Sequence, residues 1–583
     1  MMKGLRFWSF FVLISSFLIT NLKPQQTGKV YITFKITQNW GSGFQGEIKI
    51  KNLASWIIWD WELEFDLKAL IKNIWGAQIK SKKGNTYTLA AASWGKPNID
   101  PGKTVTIGFT ASPGGNISPP TNGKLNGYPI VFNGYSNAPP PPKAFDPPVW
   151  PKRFFAPYVD VCLWPKFDIY KKAIEVGYQF YTLAFIVAKG PNNPTPSWGG
   201  YYSVSSGYLK KDINNLRSKG GDVIVSFGGA AGTELAGAAK NLSTLVNAYQ
   251  SVIDAYKLTH IDFDVEGFWV ADKRSIDLRS KAIALLQRNA KKKGKTLHVW
   301  LTLPVLPTGL TQNGLYVVES AVKNKVDLDG VNIMAMDYGD NAAPPPADMG
   351  KLAIKAAQNL FRQLKGVYSK YGINKPDKEL WHMVGITPMI GLNDVVSEIF
   401  YQSDAKEVLA FAEKMDIGML SFWSATRDKQ HPKGKLKYVT PHYSSILQKP
   451  YEFSKIFMAF TPPWRDLGYG KSGTNGIPKL IGIGDLLPNK FFFLKMWNAP
   501  SNASFMLFAG KKRIDISILG GIFVPLPIFA FPSITNKNGV SQFKFFWPQG
   551  IPYGQAIYYQ AWIMDNNASY GVSATNALES RNR

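Results

Sequence analysis

Residues 259–266 read THIDFDVE and place Asp262, Asp264 and Glu266 at every second position. In an extended strand such positions share one face, so the three carboxyl groups crowd together while Ile261, Phe263 and Val265 point the other way. Like charges this close keep at least one carboxyl protonated near neutrality, which is the condition for general-acid work. A solvated edge strand also carries acids, but here the interleaved residues are all apolar. The strand is therefore expected to be buried on one side and to line a site on the other.

Outward from this strand, apolar runs alternate with helical patterns from Phe154 to about Phe457. The runs are FFAPYVDVC, FYTLAFIVA, DVIVSFGG, THIDFDVEG, LHVWLTLPVLP, GVNIMAMDYG, LWHMVGITPMIG and GMLSFWSATRD. Eight runs separated by helices predict an α/β unit, a closed parallel (β/α)8 TIM barrel over residues 152–460. Active sites in that architecture lie at the C-terminal ends of the strands. Glu266 falls at the end of the fourth run, Asp337 at the end of the sixth and Trp423 near the end of the eighth. Between Ile386 and Leu420 there is room for one helix and loops, which predicts a shallow, open cleft.

The flanks differ in composition. Residues 28–132 alternate apolar and polar positions between Gly-, Asn- and Pro-rich breaks, the pattern of an antiparallel β-sandwich. Residues 133–151 contain NAPPPPKAFDPPVWP and read as a semi-rigid extended spacer. Residues 461–583 return to punctuated runs such as KFFFLKMW and QAIYYQAWIMD, predicting a C-terminal β-rich domain, most simply a second sandwich. The chain is thus multidomain. At the start, Lys3 and Arg6 precede an apolar run from Phe7 to Ile19, as in a secretory signal over residues 1–27. That run is shorter than the ~20 residues of a comfortable membrane span, and an uncleaved anchor stays open as the alternative to export.

The net charge is +27, yet no nucleic-acid fold signature accompanies it, and the densest run, Lys291 to Lys295, reads as a solvated helix end. Nucleic acid is not expected as a partner. A single cysteine, Cys162, excludes an intrachain disulfide and a thiolate metal site. The five histidines show no metal-ligand spacing and no Gly-rich phosphate-cradling loop is present, so no cofactor and no metal are expected. The chain is expected to be a monomer.

Four motifs carry a family resemblance. THIDFDVE resembles the D-x-x-D-x-D-x-E signature of glycoside hydrolase family 18, with Thr259 at the first Asp and His260 at the common Gly. VIVSFGG (Val223 to Gly229) resembles that family's S-x-G-G strand, and NIMAMDYG (Asn332 to Gly339) its M-x-Y-D strand, with Met336 where many members have Tyr and Tyr338 two residues on. GMLSFWSATRD puts Trp423 where the family has a Trp near the last barrel strand. Separately, QNWGSGFQGEIKIKN, NIWGA and SWGK…IDPGKTVTIGF resemble carbohydrate-binding module family 2, whose exposed planar aromatics map onto Trp40, Trp75 and Trp94. Flat C–H faces of a β-linked pyranose chain stack on such rings. Trp59 and Trp61 read instead as sandwich core.

The resemblance implies a secreted chitinase acting on β-1,4-linked N-acetylglucosamine, with chitin or a related β-1,4-linked polysaccharide as partner. It implies Glu266 as general acid and base, with the substrate's 2-acetamido oxygen as nucleophile in a retaining reaction. Asp264 would stabilise the oxazolinium charge and Asp262 would share a proton with it. Asp337, with Tyr338 or Met336, would line the acetamido pocket and Trp423 would floor the subsite where the sugar distorts. An open cleft favours endo cleavage. Ser226, Gly228 and Gly229 read as tight packing at the rim. Three alternatives remain: a chitin-binding lectin on an inactive barrel, an endo-β-N-acetylglucosaminidase acting on glycoprotein glycans, and a surface adhesin.

Overall fold

The structure is a computed structural model that describes residues 28–92, 98–138, 146–484, 486–551 and 555–582. The expected signal segment therefore lies outside the described residues. The chain divides into two compact units, residues 1–144 and 145–583.

The first unit is two antiparallel five-stranded sheets. One runs Gly134–Asn137, Lys29–Asn39, Phe44–Asn52, Thr104–Ser112, Leu70–Trp75; the other runs Gln78–Lys83, Thr86–Ala90, Glu62–Asp66, Thr121–Leu125, Tyr128–Pro129. The alternation seen in the sequence is the cause: Val30, Ile32, Ile48, Ile50, Leu63 and Phe65 point inward and are fully buried. Trp61 is buried in this core and Trp59 half-buried. The boundary expected at residue 132 falls too early. Gly134–Asn137 pairs with Lys29–Ile32, because the strand after the Asn133 turn completes the sheet edge.

The second unit begins inside the stretch expected to be a spacer. Trp150 stacks on Phe180 and His260 at centroid distances of 4.0 and 4.1 Å, and its Nε1 donates to Asp222 at 3.0 Å. An indole with an apolar body and one donor is more stable packed than held in water, so the proline run ends by docking on the strand starts.

All eight expected strands form, and their pairing is parallel throughout. Tyr158–Asp160 pairs with Phe180–Gly190, and the ladder continues through Asp222–Gly228, His260–Asp264, His298–Pro304, Gly330–Ala335, Val384–Pro388 and Met419–Leu420. Met419–Leu420 then pairs with Phe154–Phe155, the beginning of the same extended segment that holds Tyr158–Asp160. The pairing thus returns to its starting segment. Helices such as Leu242–Tyr256, Lys273–Lys292 and Met349–Lys370 connect the strands and bury their apolar stripes against them. One expected boundary shifts: Leu380–His382 belongs to the helix Asp377–His382, and the seventh strand starts at Val384. Asp377 and Glu379 in the first turn favour that helix over a strand start.

Residues beyond 461 form the expected β-rich region, with sheets ordered around Phe491–Trp497, Ser504–Gly510 and Ala556–Met564. It is fastened to the strand-start end of the central unit. Arg465 donates to the Gly220 carbonyl at 3.1 Å and to Gln179 at 2.9 Å, and Glu579 bridges Arg465 and Arg581.

Candidate active site

The strand His260–Asp264 is buried at every residue. Ile261, Phe263 and Val265 pack against the helices, as the alternation predicts, and Asp262 and Asp264 project to the opposite side. Asp262 is held by three hydroxyls, two from the strands paired on either side of it and one, Tyr158, from a strand further round the ladder. Tyr158 donates to Oδ2 at 2.9 Å, Ser226 to Oδ2 at 2.6 Å and Thr302 to Oδ1 at 2.7 Å. Behind them Asn332 donates to Thr302 at 3.0 Å and accepts from Thr387 at 2.8 Å. Six strands thus contribute one polar side chain each to a connected hydrogen-bonded layer.

The Asp264 and Glu266 carboxyls act on one another, and Asp264 Oδ1 is buried with no hydrogen-bond partner among the described residues. Burial and the neighbouring negative charges push both upward, Asp264 well above the ordinary carboxylate range. For Asp262 burial outweighs its three donors and lifts the carboxyl to about 6. A carboxyl that binds its proton more tightly folded than unfolded stabilises the fold below its unfolded value and loses that contribution as pH rises through the folded one. Here the window runs from 3.8 to about 6. Asp262→Asn is expected to flatten stability across that window, removing a slope worth about 3 kcal/mol; denaturant unfolding at each pH checks it.

The other expected residues divide. Asp337 lies just past the sixth strand in a left-handed conformation, φ 52°, and accepts from the Val395 amide at 2.8 Å. Burial and Asp394 push its carboxyl up while Arg427 pulls it down, and its charge reaches Glu266. Met336 is half-buried. Tyr338 is more deeply enclosed than Met336. It packs in the hydrophobic core, its hydroxyl has no partner among the described residues, and the charge beside it is Glu398, which accepts from the Tyr338 and Gly339 amides. Trp423 stacks on Phe185 at 5.7 Å with an interplanar angle of 14°, and lies 6.0 Å from Tyr158.

Ser226 is the clearest miss, because it bonds Asp262 directly where tight packing was expected. Gly228 and Gly229 do serve close approach. A Cβ on Gly228 would stand 2.0 Å from the Asp264 carbonyl oxygen, and one on Gly229 would stand 2.5 Å from the Phe185 ring. Tyr158, Thr302 and Asn332 also went unread. The available signal was register: each is an inward polar residue in an otherwise apolar strand.

On the first unit, Trp40 and Trp75 are 52% and 45% exposed, whereas Trp94 lies outside the described residues. Each ring lies over a glycine. A Cβ on Gly43 would stand 2.8 Å from the Trp40 ring, and one on Gly108 would stand 2.1 Å from the Trp75 ring. The absent side chains let the indoles lie against the backbone with a broad surface toward water.

The chain is thus modular, with a sandwich that exposes two indoles and a parallel α/β unit that gathers acidic side chains at one strand end. Residues 30–129 match the profile of the cellulose binding domain family (CBM_2). A cellulose/chitin binding protein of Mycobacterium tuberculosis is 32% identical over 123 residues, which cover 21% of this chain and 84% of that protein. The chain belongs to the cellulose binding domain family through this unit. The chain is also 41% identical over 321 residues to a probable bifunctional chitinase/lysozyme of Escherichia coli K12, covering 54% of this chain and 35% of that protein. Among solved structures, the catalytic domain of a hyperthermophilic chitinase from Pyrococcus furiosus is 34% identical, with a TM-score of 0.48, covering 54% of this chain and 97% of that one. The chain therefore has chitinase homologues, although it spans only about a third of the bacterial relative's length.

Proposed function

We propose that the chain is a glycoside hydrolase family 18 chitinase. It would cleave β-1,4 bonds between N-acetylglucosamine units with retention, using the substrate's own acetamido group as nucleophile. The observation that carries this reading is the Asp262–Asp264–Glu266 series, buried at the two aspartates and half-buried at Glu266 just past the strand end, with Asp262 clamped by Tyr158, Ser226 and Thr302. The returning circuit of parallel pairings supports a (β/α)8 barrel over about residues 146–460, which puts the acids at the end where such barrels work.

Each group has a task suited to its setting. Glu266, half-buried at the rim and raised by its surroundings, carries the proton for the leaving oxygen. Asp264, once its proton moves to the Asp262 side, presents negative charge to the oxazolinium ion. Asp262 can accept that sharing because its hydroxyl partners rotate to donate or accept. Asp337 and Met336 line the acetamido pocket, and Trp423 floors the sugar. Between the seventh and eighth strands lie only the short pair Gly391–Leu392 and Ile399–Phe400 and the helix Gln402–Met415. Among the described residues no larger insertion lies between those two strands, which favours endo action. Export follows from the charged and apolar start of the sequence.

Time-resolved product analysis on chitin hexamer tests the reading. Mixed short oligomers support endo hydrolysis, whereas glycan release from a denatured glycoprotein without hexamer cleavage supports the endo-β-N-acetylglucosaminidase alternative. The adhesive part has its own test. Trp40→Ala and Trp75→Ala are each expected to weaken binding to insoluble chitin or cellulose by roughly 1 kcal/mol, about fivefold. Hexamer turnover should stay unchanged, and depletion assays on washed polymer measure the difference.

A further inference from the structure

A further buried carboxylate lies beside the triplet and has no role in the reaction described above. Glu234 follows the loop after Asp222–Gly228 and is 5% exposed. Arg279, 2% exposed on the helix Lys273–Lys292, donates to its Oε2, while Oε1 has no partner among the described residues. The point where a Cβ on Gly228 would stand is 3.6 Å from that unbonded oxygen and 2.0 Å from the carbonyl oxygen of Asp264. Gly228 has φ 112° and pairs with Asp264 in the ladder. A side chain at Gly228 is thus excluded, and Glu234 stands within a few ångströms of the catalytic strand. A buried ion pair adds little net stability compared with apolar packing. Its value here is the direction of its charge.

We propose that Glu234, held by Arg279, is a positioning residue that keeps the working proton on the Asp264–Glu266 pair at neutral pH. The inference rests on the hydrolase reading above. Burial pushes the Glu234 carboxyl up and Arg279 pulls it down. A guanidinium does not release its proton at working pH, so Arg279 stays charged and favours the ionised form of the carboxyl it holds. The groups around it are few. Arg279 and Asp272 face Glu234 from one helix, and Tyr249 faces Arg279 from the helix Leu242–Tyr256. Arg274 turns instead to the carbonyls of Gly237 and Ala239. Asp264 faces Glu266, Asp262, Tyr158 and Glu234, and Glu266 faces Asp264, Asp337 and Glu234. The carboxylate of the ion pair, rather than its guanidinium, is therefore the end turned toward the acids.

The test is the pH profile of kcat/KM on chitin hexamer for wild type and E234Q. Arg279 keeps its charge in E234Q, so the acids meet an uncompensated cation. The alkaline limb should move to lower pH by about half a unit or more, roughly a threefold loss above the limb. E234Q/R279Q removes both charges and should return the limb at least halfway. A purely structural role would lower stability in both variants and leave the limb in place, which overturns the proposal. A second readout needs no turnover. The stability difference between each protein and its Glu266→Gln counterpart, followed from about pH 3 to about pH 8, reports the Glu266 proton by linkage. That window should shift to lower pH in E234Q, and an unmoved window overturns the proposal on its own. A shifted window in a protein that leaves chitin hexamer intact supports the proton-holding role and counts against the functional reading alone.

Discussion

Glu266→Gln is expected to lower kcat on chitin hexamer by about 10³ to 10⁴ while the hexamer still binds. Glutamine keeps the size and the polar contacts of the side chain but has no proton to give to the leaving oxygen. Asp264 cannot take over, because it is buried deeper on the strand and its carboxyl is engaged with Glu266. Asp337 comes from another strand end and is tied to the Val395 amide. Binding should survive because Trp423 and its stacked neighbour Phe185 are untouched. A loss confined to kcat marks a group that acts only in the transition state. Retention of more than a tenth of wild-type turnover would place the general acid elsewhere. The same variant separates an enzyme from a lectin, since a lectin's oligosaccharide binding would be its whole activity in both forms.

The sequence made the strands legible because apolar runs bounded by Gly and Pro are strong local signals, and the carboxylate series because its period matches that of a strand. Register across strands was not legible. Ser226 and Thr302 matter through their position opposite Asp262, and Asn332 through its bond to Thr302, in contacts that span 36, 40 and 30 residues and are set by the order of the ladder. Tyr338 shows a limit of counting along the chain. Counting two residues on from Met336 keeps one face only while the backbone stays extended, and the left-handed turn at Asp337 breaks that count. Glu234 and Arg279 could not be paired from sequence because their contact spans 45 residues and depends on Gly228 letting two strand ends meet closely. The end of the first unit was misplaced because a four-residue edge strand beside a proline run gives almost no periodic signal.

Asp264→Asn should lower kcat by about 10² to 10³ with little change in KM, a smaller loss than at Glu266 and a more diagnostic one. The two side chains are nearly isosteric, so the packing of the strand and the layer around Asp262 should persist. What disappears is the ability to become negative. A conventional retaining hydrolase would need a carboxylate that attacks C1, and its loss would leave almost nothing; a substrate-assisted one needs a charge that steadies an intermediate made by the sugar itself. In the second case residual turnover remains, and it should require the acetamido group of the substrate. Hydrolysis of matched aryl glycosides, one carrying the 2-acetamido group and one with a 2-hydroxyl, checks this in wild type and variant together. Wild type that cleaves the 2-hydroxyl substrate as readily as the acetamido one would end the substrate-assisted account, and Asp264 would then have to be reconsidered as the nucleophile.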